Sequence, residues 1–416
     1  MENINLQCPD WITKFLKLKS QQMGLVSKDE LKEELEFEIL KYENGLPTEI
    51  EVYLPSDFDR SLLEGFVDCL NNLFYSDKFE WTERRDLYWF NKRKSIILNY
   101  VEKLPEKINY SFDLLKETDK SFFPLGISQI KDNKIVGFNL KSNILITGEK
   151  NSGKTNLLKT IINSSLGRSE DYLLFVISRN PAIKKYEKYG VPTATTFEDA
   201  ASLCTYVEAT MMERIEEIEK RGINNWDEMP DNLRGPNIIL LIQDNLDFLE
   251  PMKLSHNSEP EEKVNLNYQN KFLSSIKSIA TNYNEFTNVH LIISTIKPEL
   301  VSSIKYNFQD KIIMGHLPQS TSQMVINSFY ASTLTNEFKG RGIIRNNSLI
   351  PFKFQAFYNE PDNLDNFLKE NNLPEKINGH SLFLVNVEED NRWNEDENFK
   401  SLSDDEYKKL MDIINN

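Results

Sequence analysis

The feature that most limits what this chain can fold into is the run Gly148-Glu149-Lys150-Asn151-Ser152-Gly153-Lys154-Thr155. It follows the apolar run NILIT and precedes the helical pattern NLLKTII. A glycine, four residues and then Gly-Lys-Thr serve one geometry. The glycines let the backbone curl so that successive N–H groups of Glu149, Lys150, Asn151 and Ser152 face phosphate oxygens. The helix that follows adds the positive end of its dipole. Lys154 is expected to reach the β- and γ-phosphates of a nucleotide, and the Thr155 hydroxyl to ligate Mg²⁺.

Around this loop, short apolar runs alternate with helical stretches. The runs are NILITG (143–148), YLLFVIS (172–178), NIILLIQ (237–243), VHLIIS (289–294) and KIIMG (311–315). Continuous apolar runs separated by helices imply a parallel sheet covered on both faces. Four units follow from texture. Residues 1–45 are polar with helical spacing. Residues 46–120 read as a small α+β unit, with strand-like IEVYLP at 50–55 and a helical run through Leu62, Phe66 and Leu70. In that unit DLYWF and SIILNYVE are expected to form a hairpin turning at Asn91-Lys92-Arg93-Lys94. Residues 121–358 carry the α/β pattern. Residues 359–416 form an acidic extension, expected as a solvated linker and a short terminal helix.

A phosphate loop that drives hydrolysis needs a carboxylate at the tip of a neighbouring strand. The candidate follows the run 238–242, as Gln243-Asp244-Asn245-Leu246-Asp247. In one register Asp244 is the magnesium-side residue, and Asn245 stands where a glutamate belongs. An amide can position water but cannot accept its proton. In the other register Gln243 takes the metal position and Asp244 the catalytic one. The plain alternative is that Asp244 and Asp247 cap the next segment.

Composition narrows the function. Net charge is −15 over 416 residues, the reverse of a general nucleic-acid coat, whose affinity comes from neutralising phosphates. A ring whose pore alone is basic stays compatible. Lys92-Arg93-Lys94 beside Trp89 and Phe90 interleaves basic and aromatic residues, a pattern shared by nucleic-acid patches and solvated turns. Cys8, Cys69 and Cys204 lie far apart, without metal-ligand spacing, which fits a reduced, cytoplasmic compartment. His256, His290, His316 and His380 show no ligand spacing either. The first residues lack a basic start followed by an apolar run, so no signal peptide is expected. No stretch approaches about 18 apolar residues, so any membrane attachment is expected through a partner.

Several ordered segments between 123 and 357 together resemble the FtsK/SpoIIIE family of DNA-pumping ATPases. They are Phe123-Pro124-Leu125-Gly126, the phosphate loop, Tyr186-Glu187-Lys188-Tyr189-Gly190-Val191-Pro192, Thr195-Thr196-Phe197-Glu198-Asp199-Ala200, and Met212-Glu213-Arg214. His290-Leu291-Ile292-Ile293-Ser294-Thr295-Ile296-Lys297-Pro298, Ile304-Lys305-Tyr306-Asn307 and Gly340-Arg341-Gly342 complete the series. The resemblance implies a RecA-like P-loop NTPase domain, ATP and Mg²⁺ as ligands, double-stranded DNA as the polymer, and a homo-oligomeric ring. It implies Thr295 as the residue sensing γ-phosphate and Arg341 as one reaching a neighbour's nucleotide. A membrane-bound protein partner is compatible with it. The family's Gln-Arg-Pro is here Ile296-Lys297-Pro298, and its Asp-Glu pair is blurred into Gln243-Asp244-Asn245. Loss of a general base costs about 10²- to 10⁴-fold, so slow hydrolysis is expected. The motor domains of type VII secretion ATPases share this fold and often carry degenerate sites, which keeps a protein partner as the alternative to DNA.

Overall fold

A computed structural model describes residues 36–43, 46–53, 66–67, 70–71, 74, 76, 79–84, 95–128, 135–244, 248–252, 259–281, 284–335, 338–346, 351–371 and 373. The expectations for Asp86 to Lys94, Asn245, Asp247, His256, His380, Cys8, Cys69 and the terminal acidic helix lie outside these residues.

The chain first builds a four-stranded antiparallel sheet from β1 (Glu36–Glu43), β2 (Leu46–Tyr53), β3 (Phe79–Arg84) and β4 (Ser95–Glu102), in the order β1-β2-β4-β3. Its buried side is carried by Ile50, Val52, Trp81 and Leu98, with Phe66 and Leu70 packed in. One expectation changes here. Residues 36–43 are a strand paired with β2, not part of a helical segment, because their apolar residues alternate and meet β2 across the ladder. β4 also pairs with residues 79–84.

The second sheet has ten strands. β5 (Phe122–Ser128), β6 (Ile135–Asn139), β7 (Asn143–Gly148), β8 (Tyr172–Ile177), β9 (Thr193–Ala194), β10 (Asn237–Asp244) and β11 (Val289–Thr295) are followed by β12 (Phe308–Met314), β13 (Arg341–Arg345) and β14 (Phe352–Ala356). The order is β6-β5-β14-β13-β12-β7-β11-β10-β8-β9. The five apolar runs are the five neighbours β12, β7, β11, β10 and β8, all parallel. The strands on the β13 side are antiparallel. This is the mostly parallel, RecA-like P-loop NTPase class that the sequence implies.

Helices cover both faces: α1 (Lys154–Leu166), α2 (Phe197–Arg221), α3 (Pro260–Thr281), α4 (Gln319–Ile326) and α5 (Asn363–Glu370). Period-two alternation sends Ile144, Ile146, Leu174 and Ile239 to the face under Leu157, Leu158, Ile161 and Ile162 of α1. It sends Leu145, Phe175, Leu240 and Ile293 to the face under Val207 and Met211 of α2 and Phe272 and Ile276 of α3. Each fully buried aliphatic side chain contributes about 1.5–3 kcal/mol. α2 starts where the Thr196 hydroxyl accepts from the Asp199 N–H at 3.1 Å, and stops at Gly222 with φ 66°.

The body does not end at residue 358. Leu364 and Leu368 of α5 sit in the same core as α1, and Phe367 stacks on Phe112 with centroids 4.0 Å apart. Asp365 receives both Lys188 Nζ and the Tyr189 hydroxyl, at 2.9 and 2.7 Å. Residues 363–370 read as part of an acidic extension because their charge masks an apolar stripe of only three residues.

Candidate functional site

The parallel strands place their C-terminal ends along one edge, and the phosphate loop leaves β7 there. Gly148 has φ 145°, and a Cβ at that position would stand 2.1 Å from the Met314 carbonyl oxygen of β12. Gly153 has φ 108°, and its Cβ would stand 2.9 Å from the Gly340 Cα. Both glycines are therefore required by conformation and by close approach. Gly340 also ties the loop down, donating its N–H to the Ser152 carbonyl at 3.1 Å. The Ser152 hydroxyl oxygen is buried in the loop without a hydrogen-bond partner, a group that a phosphate oxygen would satisfy.

Lys154 opens α1 and is 7% exposed. Its ammonium donates to the Gly148 and Glu149 carbonyls at 2.5 and 2.7 Å. Burial strips water from it and lowers its pKa to about 8, while the Glu149 charge pulls the other way. The curl thus brings a buried hydroxyl, a helix start and a desolvated cation together. That combination suits the phosphates of a nucleotide.

The strand tips opposite the loop are organised by amides. The Thr155 hydroxyl oxygen accepts from Gln243 Nε2 at 3.1 Å and faces Asn180 Nδ2 at 3.4 Å. Asp244 points to the other face of β10. Its Oδ1 accepts the backbone N–H groups of Phe248 and Leu249 at 2.8 and 3.3 Å, which fixes the turn that leaves the strand. Of the two registers, the one with Gln243 facing Thr155 matches this geometry. The register with Asp244 beside the Thr155 hydroxyl does not, because alternation sends residues 243 and 244 to opposite faces.

Thr295 lies beside Asp244 in the ladder and is fully buried. Its hydroxyl accepts from the Lys297 N–H at 3.1 Å, inside its own turn. Arg341 is also turned inward, at 7% exposure. Its Nε donates to Gln355 Oε1 at 2.9 Å and its Nη2 to the Leu104 carbonyl at 3.2 Å, and its guanidinium covers the Phe338 ring. Burial lowers its pKa. The expectation that Arg341 reaches a neighbour's nucleotide concerns the assembly; within the chain its guanidinium is held by Gln355 and the Leu104 carbonyl. The flanking glycines serve the loop and the sheet, and the arginine ties β13 to the segment leaving the small sheet.

Sequence reasoning passed over Ser178 and Asn180, which close the tip of β8. Asn180 before Pro181 is a helix-cap signal: its Oδ1 accepts from the Ala182 N–H at 2.9 Å. Nothing in the sequence says that its other amide atom faces Thr155.

The sequence matches no family model and no curated protein. Solved structures do match. The pCW3 conjugation coupling protein TcpA, in its monomer form with ATPγS, superposes with a TM-score of 0.60 at 18% identity, covering 86% of this chain and 98% of that one. EssC (ATPases 2 and 3) from Geobacillus thermodenitrificans gives 0.52 at 14% identity, covering 66% of this chain and 54% of that one. The fold shared with them is the mostly parallel P-loop NTPase sheet described above. At these identities the shared fold is what the likeness establishes. The sheet here includes the antiparallel strands beyond β12 as well as the parallel centre. Among the described residues no helix is long and apolar enough to cross a membrane, and no cluster of His, Cys, Asp and Glu could hold a metal ion.

Proposed function

We propose that this chain binds ATP in the curl of residues 148–155 and works as a coupling-type motor on double-stranded DNA, as a homo-oligomeric ring. The nucleotide part rests on the glycine-constrained loop and the desolvated Lys154. The similarity to TcpA runs over nearly that whole chain, which supports a role in conjugative DNA transfer.

The observation that carries the DNA reading is a basic cleft toward the N-terminal end of β12, at the edge of the sheet away from the loop. Lys305, Lys311 and Arg345 line it with Tyr306, Gln309, Met324, Asn327 and Asn346, around about 270 Å³. Among the described residues, none of those lining it is acidic. Burial lowers the Lys311 pKa, and the charges of Arg345 and Lys305 lower it further. Three crowded cations in a chain of net charge −15 suit a polyanion. A ring would set this cleft from every subunit around one axis, raising a weak contact through avidity.

Hydrolysis is expected to be slow. Asp244 is the carboxylate at the tip of β10, and its Oδ1 is engaged with two backbone N–H groups. In this register Asp244 is the residue that would polarise the attacking water. Asp244→Asn keeps an acceptor for those N–H groups and removes the base, so turnover is expected to fall about 10²- to 10⁴-fold with the fold intact.

The second reading is a module of the EssC kind acting on a protein partner, favoured by the neutral Gln243 and the acidic surface. ATPase turnover with and without double-stranded DNA at low salt separates the two. Mass in solution, with and without a non-hydrolysable ATP analogue and DNA, tests the ring. A strict monomer with no DNA affinity at low salt excludes the translocase reading and leaves the protein-partner one. Attachment to the inner face of a membrane through a partner protein is compatible with either.

A further inference from the structure

Loops of this type commonly take nucleotide with Mg²⁺, and the residues around Thr155 can be tested for that ion. A magnesium side needs a hydroxyl oxygen with a lone pair to give, and negative charge behind it. Here two amide N–H groups are aimed at the Thr155 oxygen, and a backbone donor dictates the orientation of one of them, Asn180. The Ala182 N–H donates to Asn180 Oδ1 at 2.9 Å, so Asn180 must turn Nδ2 toward Thr155. The Asn180 N–H donates to Ser178 Oγ at 3.0 Å, leaving the Ser178 proton free to donate to Gln243 Oε1 at 3.0 Å. Gln243, receiving that proton on Oε1, turns Nε2 toward Thr155, at 3.1 Å. A flip of Asn180 would set its NH₂ group against the Ala182 N–H.

The relay runs one way, from backbone N–H through Ser178 and Gln243 to Thr155. It presents partial positive charge where a metal ion would sit, and it supplies no carboxylate. Among the described residues, those around Thr155 do not fit a tightly held magnesium ion. They fit a Thr155 hydroxyl that receives hydrogen bonds on its oxygen and has its own proton left to give.

We propose that this site takes nucleoside triphosphate largely without magnesium, with Thr155 serving a phosphate oxygen as hydrogen-bond donor and the Ser178–Asn180–Gln243 relay holding it in that role. This rests on the nucleotide-binding reading of the loop. The Lys154 ammonium, with the dipoles of the loop and of the start of α1, then carries the phosphate charge.

The experiment is equilibrium binding of a fluorescent ATP analogue to the full chain, in excess Mg²⁺ and in excess EDTA. The expected result is an affinity that changes by less than about threefold between the two. Gln243→Glu is nearly isosteric, and its carboxylate would accept the Thr155 proton and free the oxygen for a cation. In that variant Mg²⁺ is expected to strengthen binding by about tenfold or more. Thr155→Val removes the donor and is expected to weaken binding in EDTA as much as in Mg²⁺. A wild-type affinity that falls about tenfold or more in EDTA overturns the proposal, whatever the variants do. Absence of binding under both conditions overturns instead the assignment of the loop itself.

Discussion

The two sides of the nucleotide site are built on different logic. On the loop side, conformation does the work. Gly148 and Gly153 hold φ values of 145° and 108°, backbone atoms of Met314 and Gly340 stand where a Cβ would go, and a desolvated cation waits among carbonyls. On the strand-tip side, hydrogen bonds do the work. Gln243, Ser178 and Asn180 satisfy one another and Thr155, Asp244 holds its own turn, and Thr295 holds Lys297. The loop side is incomplete without an anion, whereas the tip side is closed on itself. A protein can keep the first and alter the second, because phosphate binding depends on backbone geometry, while catalysis depends on which side chains are left free to act.

The largest test of this contrast is Lys154→Ala. Losing charge-assisted hydrogen bonds to phosphate is expected to weaken nucleotide binding about 10²- to 10³-fold, read by titration calorimetry. The same lysine predicts a pH effect. Its pKa of about 8 in the free protein lies below the ordinary lysine value, and a bound phosphate raises it. The complex then holds more protons than the free protein above pH 8, so affinity should fall with rising pH, by up to about tenfold per unit. An affinity that stays flat to pH 9.5 would place the ammonium elsewhere.

Beneath the tips, His290 sits on β11 with both ring nitrogens buried and without hydrogen-bond partners. Burial, with Arg214 nearby, lowers its pKa to about 3. A base whose folded pKa is depressed leaves the unfolded chain holding more protons between the two values. Stability should therefore fall as pH drops below 6.5, by about 2–3 kcal/mol at pH 4.5. Buried Asp310, raised to about 6, acts with the opposite sign, so the measurement is the difference between wild type and His290→Leu in denaturant unfolding at pH 7 and 4.5. Parallel curves for the two proteins would mean that His290 is solvated.

Arg341→Met probes the strap behind the loop. It leaves Gln355 and the Leu104 carbonyl without their donor, at a cost of about 1–3 kcal/mol in stability. Nucleotide affinity should hold, since the guanidinium does not face the loop. An oligomer that loses nucleotide-dependent assembly at unchanged stability would return Arg341 to a role between subunits. The smallest effect is expected at the basic cleft. Lys311→Gln should weaken binding to double-stranded DNA by about one counterion's worth of salt slope, without touching nucleotide binding. An unchanged slope would move the polymer contact elsewhere.

Much of this molecule is local in its sequence. The loop is legible because glycine spacing, an apolar run and a helical run must coincide to bind phosphate. The five parallel strands are legible because strands buried on both faces become continuous apolar runs, but their order is not, since β7 and β8 follow one another in the chain and have β11 and β10 between them in the sheet. Alternation could also have revealed β1, had its charged residues not resembled a helix.

The roles of Gln243, Asp244 and Arg341 were not legible, because each depends on a partner far along the chain. Gln243 and Asp244 are neighbours in sequence and face opposite sides of β10, and only the placement of α1 and β8 decides which one meets Thr155. Asn180 lies 25 residues from Thr155 and its amide is turned by a helix cap. Arg341 is 237 residues from Leu104 and becomes a strap only once the segment after β4 runs past β13. Sequence determines which backbone can curl and which faces are apolar. Tertiary structure decides which polar side chains spend their hydrogen bonds on the protein and which remain for a ligand, because that depends on distances no local pattern encodes.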